Sequence, residues 1–180
     1  SLFDPSWFLE PLVRNEDILS GLHANTHIVL VNGFARRYES TWEECYRKSV
    51  ANFWNMLMHS HAYVNGTSSG PRPNVTTETS LTAEHWGEPC HLCNTLTKGI
   101  AESCVTHNTQ RLNASLFSWT GNPCYADVYM NMFYNAVLPR AVPRELMFTI
   151  CRWGHLVIRR TWRTTTSSVA AGLVPKRLPN

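Results

Sequence analysis

Four side chains in "EPCHLCNTLTKGIAESCVTH", residues 88–107, have types and a spacing suited to chemistry: Cys90, Cys93, Cys104 and His107, in the pattern C-x2-C-x10-C-x2-H. Thiolate sulfur and imidazole nitrogen are the donors that zinc prefers in a tetrahedron, and a C-x2-C pair offers two of them from one tight turn. Four such ligands close the shell and leave no position for a catalytic water. The chemistry expected is therefore a structural zinc site of Cys90, Cys93, Cys104 and His107, with His85, His91 and Cys124 as spare donors. Such a site supplies roughly 10–16 kcal/mol of apparent binding energy, enough to hold an otherwise loose segment. The same residues also fit a disulfide framework, because the chain has six cysteines, an even number. Three N-x-S/T sequons, at Asn65, Asn74 and Asn113, point the same way, but a chain this rich in Asn, Ser and Thr provides about that many by chance.

Catalytic signatures are missing. There is no G-x-S-x-G elbow, P-loop, H-E-x-x-H or G-x-G-x-x-G. Cys90 with a histidine would make a nucleophile–base pair only through spatial proximity, which the sequence does not single out. His59 and His61 lie two apart at a helix end, point in different directions and are expected on the surface. Arg159, Arg160 and Arg163 around Trp162 resemble a grip for single-stranded nucleic acid. A strand with one buried face accounts for them equally well, so direct nucleic-acid binding is not expected.

The elements that must position these residues come from periodicity. With 43% hydrophobic and 16% charged residues and a formal charge of +3, the 180-residue chain should fold as one domain without an obligatory polyanion partner. It has no apolar run of ~18 residues, so no membrane span is expected. It opens on Ser1 with no signal-like stretch, which reads as a fragment or processed form. "DPSWFLEPLVRNEDILSGL" reads as irregular, with a short helix near 14–22. "HIVLVNGFARRYE" meets a turn-forming Asn32-Gly33, predicting strands at 27–31 and 34–38. "STWEECYRKSVANFWNMLMHSH" reads as a helix with a Ser40–Glu43 capping box and a buried stripe of Trp42, Cys45, Tyr46, Phe53, Met56 and Leu57. Residues 63–80 read as a long mobile loop. A turn at 121–123 leads into a helix over 125–137, with Tyr129, Met132 and Phe133 facing the core. Strands are expected at 145–151 and 155–163. The fold class expected is α+β: a single mixed domain over 1–163, with β-hairpins near both ends and helices and the Cys/His zinc segment between. Residues 164–180 are then a tail or the cut edge of a larger domain.

The block "VYMNMFYNAVLPRAVPRELMFTICRWGHLVIRRTW", 128–162, resembles the adenovirus early-region thirty-four-kilodalton protein family. The likeness rests on Pro143-Arg144-Glu145-Leu146-Met147-Phe148, Gly154, His155-Leu156-Val157 and Arg160 before Trp162, with "EHWGEPCHLC" and "SLFSW" upstream. It implies a non-catalytic viral early regulatory adaptor that works in the host nucleus and cytoplasm. Such a protein recruits host elongin B, elongin C and a cullin as a ubiquitin ligase, acts with a larger viral early protein against host substrate proteins, and favours late viral mRNA export. It also implies zinc on the cysteines and histidines. The family's elongin-binding helix has no clean copy, since Ile100 stands where "TLTKGI" should have Cys. The alternative reading is a secreted or virion-surface disulfide-bonded glycoprotein acting as a ligand or decoy.

Overall fold

The computed structural model describes residues 4–69, 84–95, 100–138 and 150–151. Within them the protein is mainly helical: α1 (Ser6–Val13), α2 (Ala24–Thr41), α3 (Glu44–Met56), α4 (Ser103–Thr120) and α5 (Pro123–Met132). Two short strands, β1 (Ile100–Glu102) and β2 (Ile150–Cys151), pair antiparallel with Ile100 opposite Cys151. The expected α+β fold with hairpins near both ends is thus corrected.

The first expected hairpin is the body of α2. Ile28, Val31, Phe34, Ala35 and Tyr38 recur at steps of three and four and are all buried, while Val29 is exposed. That is the face of a helix, not the alternation of a strand. Asn32-Gly33 does not turn because the Asn32 amide is used elsewhere: its Nδ2 donates to the carbonyls of Ile28 (3.1 Å) and Asn108 (3.0 Å). Of the second hairpin, Ile150–Cys151 pairs with Ile100–Glu102; strand 155–163, the arginines around Trp162, loop residues 70–80 and the tail 164–180 lie outside the described residues.

Helix boundaries shift for similar reasons. The helix expected near 14–22 is found earlier, as α1, where Phe8 and Leu12 stand one turn apart and are fully buried. The Ser40–Glu43 box does not open α3. Ser40 still belongs to α2 and donates to the Arg36 carbonyl at 2.9 Å, and α3 begins at Glu44. Between the two helices Trp42 adopts a left-handed backbone and is exposed, contrary to the expected buried stripe, which Tyr46, Phe53, Met56 and Leu57 do form. α4 closes on Gly121, whose φ of 66° suits a left-handed cap, and α5 opens with Asn122 accepting from the Cys124 N–H and Pro123 in its first turn.

The helices pack in sequence, α1 on α3, α3 on α2, α2 on α4 and α4 on α5. Phe8, Leu12, Phe34, Val50, Phe53, Leu57, Val105, Leu112 and Leu116 share one core. Asn113 inside it is paired through both amide atoms: Oδ1 accepts from the indole N–H of Trp54 at 2.7 Å and Nδ2 donates to the Thr109 carbonyl at 3.0 Å.

After α3 the chain does not become a loose loop at once. Ala62 bridges to Ser68, the Tyr63 N–H donates to the Thr67 carbonyl at 2.7 Å, and Thr67, Ser68 and Ser69 are buried. Gly66 turns this corner at φ 80°, and a Cβ there would stand 2.7 Å from Met132 Cγ. Gly66→Ala should therefore lower the urea midpoint by the equivalent of about 1–3 kcal/mol at an unchanged denaturant slope, through strain and overpacking together.

The α1–α2 contact makes stability depend on pH. His27 packs edge-on against Trp7 (5.9 Å) and Phe8 (5.1 Å), and its Nδ1 lies 2.7 Å from the His23 carbonyl. Burial holds its pKa below the ordinary histidine value; the carbonyl contact pulls the other way and a charge on His23 adds to the depression. The unfolded chain then binds a proton at His27 more readily than the folded one. The contribution is complete above about pH 6.5 and is lost as pH falls through the lower folded value. The urea midpoint should drop between pH 7.5 and pH 5, and His27→Phe should remove part of that drop.

Candidate active site

Helices α2 and α4 run parallel. Near their starts Asn108 Nδ2 donates to Asn25 Oδ1 at 2.8 Å, and near their ends the Trp119 indole N–H donates to Glu39 Oε1 at 3.2 Å. Two helix N-termini therefore lie side by side, and their unpaired N–H groups favour negative charge. The chain supplies two carboxylates there: Glu84 beside the start of α2, and buried Glu102 at the capping position of α4.

Glu84 is delivered by backbone pairing. The Ala24 N–H donates to the Glu84 carbonyl (2.8 Å), the Trp86 N–H to that of Leu22 (3.0 Å) and the Gly21 N–H to that of Trp86 (2.8 Å). This sets His23 opposite His85, with ring centroids 5.3 Å apart. His23 is also the cap of α2: its Nδ1 accepts from the Thr26 N–H at 3.4 Å. With Nδ1 an acceptor, the ring proton sits on Nε2, which donates to Glu84 Oε2 at 2.5 Å. Trp86 is buried in the core, 1% exposed, with its indole N–H donating to Ser68 Oγ at 3.0 Å.

A second imidazole–carboxylate pair lies beneath Trp86. The last turn of α3 widens into a π turn, Leu57–His61, which carries His61 inward. His61 Nε2 lies 2.9 Å from Asp17 Oδ2, and its ring centroid is 6.4 Å from that of Trp86. Burial pushes the Asp17 carboxyl up, but the hydrogen bonds from His61 and the Leu19 N–H, with the His61 charge, outweigh it and hold the pKa below the usual range. The expected surface position of His61 is corrected, for it is 2% exposed; His59 is exposed as expected. The bridge of Ala62 to Ser68 sets position 61 opposite position 69, and His61 Nδ1 and Ser69 Oγ are both buried with no hydrogen-bond partner among the described residues.

The sequence-predicted ligands are carried by different elements. Cys90 is exposed, in a left-handed turn (φ 61°) whose N–H donates to the Ser60 carbonyl at 2.9 Å, and Cys93 is exposed in the short 3-10 turn Leu92–Thr95. Cys104 and His107 are partly buried in the first turn of α4. Cys104 Sγ lies 3.8 Å from Glu102 Oε2; burial, then the charges of Glu102 and Glu84, push its thiol up to about 12. Burial, then the Arg111 charge, lowers the His107 pKa. Among the described residues no three His, Cys, Asp or Glu side chains are gathered to hold a metal ion.

Sequence reading missed Glu84, Glu102, His23 and the Asp17–His61 pair. The signal available was the acidic and imidazole density of "EHWGE", read only as a flank of the cysteines.

Compared with known proteins, residues 1–151 match the sequence model of the beta-L-arabinofuranosidase, GH127 catalytic domain. A solved glycoside hydrolase superposes with a TM-score of 0.62 at 22% identity over 82% of this chain, and a GH127 beta-arabinofuranosidase with 0.56 at 20% identity over 72%. The chain spans only 26% and 18% of those two structures. No curated protein matches it. These findings overturn the adenoviral resemblance, and with it the non-catalytic ubiquitin-ligase adaptor, the elongin and cullin partners and the mRNA-export role. Short blocks such as "EHW" and "SLFSW" are local pieces of a helical core here, and matching them in order says nothing of how they pack. The alternative of a ligand or decoy glycoprotein is overturned by the same match; of its sequons Asn113 is fully buried and bonded to Trp54, and Asn74 lies outside the described residues. The chain belongs to the beta-L-arabinofuranosidase GH127 catalytic-domain family.

Proposed function

We propose that this chain forms part of a glycoside hydrolase that cleaves β-L-arabinofuranosides, with the paired N-termini of α2 and α4 as one wall of the sugar site. The observation that carries this reading is Glu84 paired with His23 at the start of α2, next to the start of α4 whose capping position buried Glu102 holds, in a chain of that family. Glycoside hydrolysis needs one carboxyl group to protonate the leaving oxygen and a second negative group at the anomeric carbon as positive charge develops.

Glu84 suits the first role. Its side chain is 29% exposed, so a substrate can reach it, and the hydrogen bond from His23 Nε2–H stabilises the carboxylate left when Glu84 gives up its proton. Glu102, buried at the start of α4, suits the second as a fixed negative charge facing an oxocarbenium-like centre. The C–O bond breaks toward the leaving oxygen, which takes the Glu84 proton; water then supplies the hydroxyl to the sugar and returns a proton to Glu84.

Hydrolysis of 4-nitrophenyl β-L-arabinofuranoside tests the assignment. Glu84→Gln should lower kcat by about 10²–10⁴-fold, the usual worth of a positioned acid. A 2,4-dinitrophenyl leaving group, which departs without protonation, should restore much of that loss for Glu84→Gln and none for Glu102→Gln. Full activity in both variants, or no hydrolysis by the unaltered protein, would end the reading.

Thiol reactivity separates this arrangement from the zinc cage proposed on Cys90, Cys93, Cys104 and His107. With Cys90 exposed and the Cys104 thiol near 12, an alkylating reagent at pH 8 should modify Cys90 at least about tenfold faster than Cys104. Equal protection of Cys90, Cys93 and Cys104, released together by a chelator with one zinc per chain, is the outcome that the cage requires instead.

A further inference from the structure

The C-terminal ends of α2 and α4 carry an aromatic cluster that the candidate site at their other ends does not use. Trp42 is 72% exposed and meets Tyr38 edge-on at 5.5 Å; Tyr38 in turn meets Trp119 at 4.9 Å. The Trp119 indole N–H donates to Glu39 Oε1, and Glu39 pairs with Arg36. Trp42 closes α2 in a left-handed backbone, φ 59° and ψ 22°, a position normally taken by glycine. A bulky side chain there is an outlier, and strain of this kind collects where a surface is used. It is held in place by the Trp42 N–H, which donates to the Tyr38 carbonyl at 2.8 Å, and by a link of only two residues to α3. The indole consequently stands largely exposed at the end of the helix.

We propose that Trp42, backed by Tyr38 and Trp119, is a secondary carbohydrate-binding platform for a neutral, arabinose-containing glycan. The C–H face of a sugar ring is electropositive and meets the electronegative face of an indole, as the edge of one aromatic ring meets the face of another. Hydroxyls at the edge of the sugar find charged hydrogen-bonding groups in Glu39 and Arg36. Those two charges are opposite and paired, which favours a neutral glycan over an anionic one. α2 has 18 residues and is about 27 Å long, so this platform anchors a chain well away from Glu84 and takes no part in bond cleavage. The identity of the glycan rests on the arabinofuranosidase reading; the stacking surface does not.

The test uses Trp42→Gly, which removes the ring and relieves the backbone, so that loss of binding is not loss of folding. Titration calorimetry with a soluble arabinose-rich polysaccharide should show at least tenfold weaker binding for Trp42→Gly and an intermediate affinity for Trp42→Phe. The Tm of Trp42→Gly should be no lower than that of the unaltered protein, and all three should hydrolyse 4-nitrophenyl β-L-arabinofuranoside equally. Undiminished binding by Trp42→Gly, or no binding by the unaltered protein, overturns the platform. Binding that depends on Trp42 without any hydrolysis would keep the platform and discard the catalytic reading; hydrolysis without such binding would do the reverse.

Discussion

Parallel helices can slide along each other unless something polar fixes their register, and between α2 and α4 that task falls to a few buried amides. Asn32 Nδ2 donates to the Asn108 carbonyl at 3.0 Å, and Asn108 Nδ2 donates to Asn25 at 2.8 Å. Each such bond contributes only about 1 kcal/mol net, but a slip of one residue would leave buried donors and acceptors unpaired at about 1–3 kcal/mol apiece. That asymmetry makes the register unique although the apolar contacts alone would tolerate several. Everything at the candidate site depends on it, because it alone keeps the two helix starts level.

Level helix starts explain why acidic residues tolerate partial burial there. A carboxylate withdrawn from water is costly unless it is paired or hydrogen-bonded. Glu84 is answered by the His23 Nε2–H, and this in turn requires His23 Nδ1 to be the acceptor that caps α2. One imidazole therefore ends a helix and holds a catalytic candidate.

The same amides show why part of the fold could be read from sequence and part could not. α3 announces itself with apolar residues at helical steps, and Asn122-Pro123 marks the start of α5, though of the residues expected in the core there Met132 is buried and Tyr129 exposed. α4, the helix at the centre of the contacts, does not. Thr106, Asn108, Thr109, Gln110 and Asn113 are all buried, so its inner face reads as polar, and the reason is visible only once each partner is seen. α2 was misread through Asn32-Gly33, whose turn preference is real but weaker than two buried hydrogen bonds from the Asn32 amide. The cysteines misled for a different reason. C-x2-C spacing is a local property, whereas the pairs that meet here, His23 with Glu84 and Asp17 with His61, are 61 and 44 residues apart.

Those long separations follow from how the site is closed. Residues 84–86 return to the chain just before α2 and zip to Gly21–Ala24 through three backbone hydrogen bonds. Alternate side chains on a paired segment face opposite ways, so Glu84 and Trp86 share a side and His85 takes the other. Glu84 nevertheless reaches His23 at the edge while Trp86 enters the core, because the pairing ends where α2 begins and the helix start leaves room for a polar group. Burying an indole of this size is worth several kcal/mol, roughly the 3–5 kcal/mol that truncating a core Trp costs. The acidic residue two positions earlier is thus held by an anchor that takes no part in its chemistry, and no spacing rule within 84–107 alone could have revealed it.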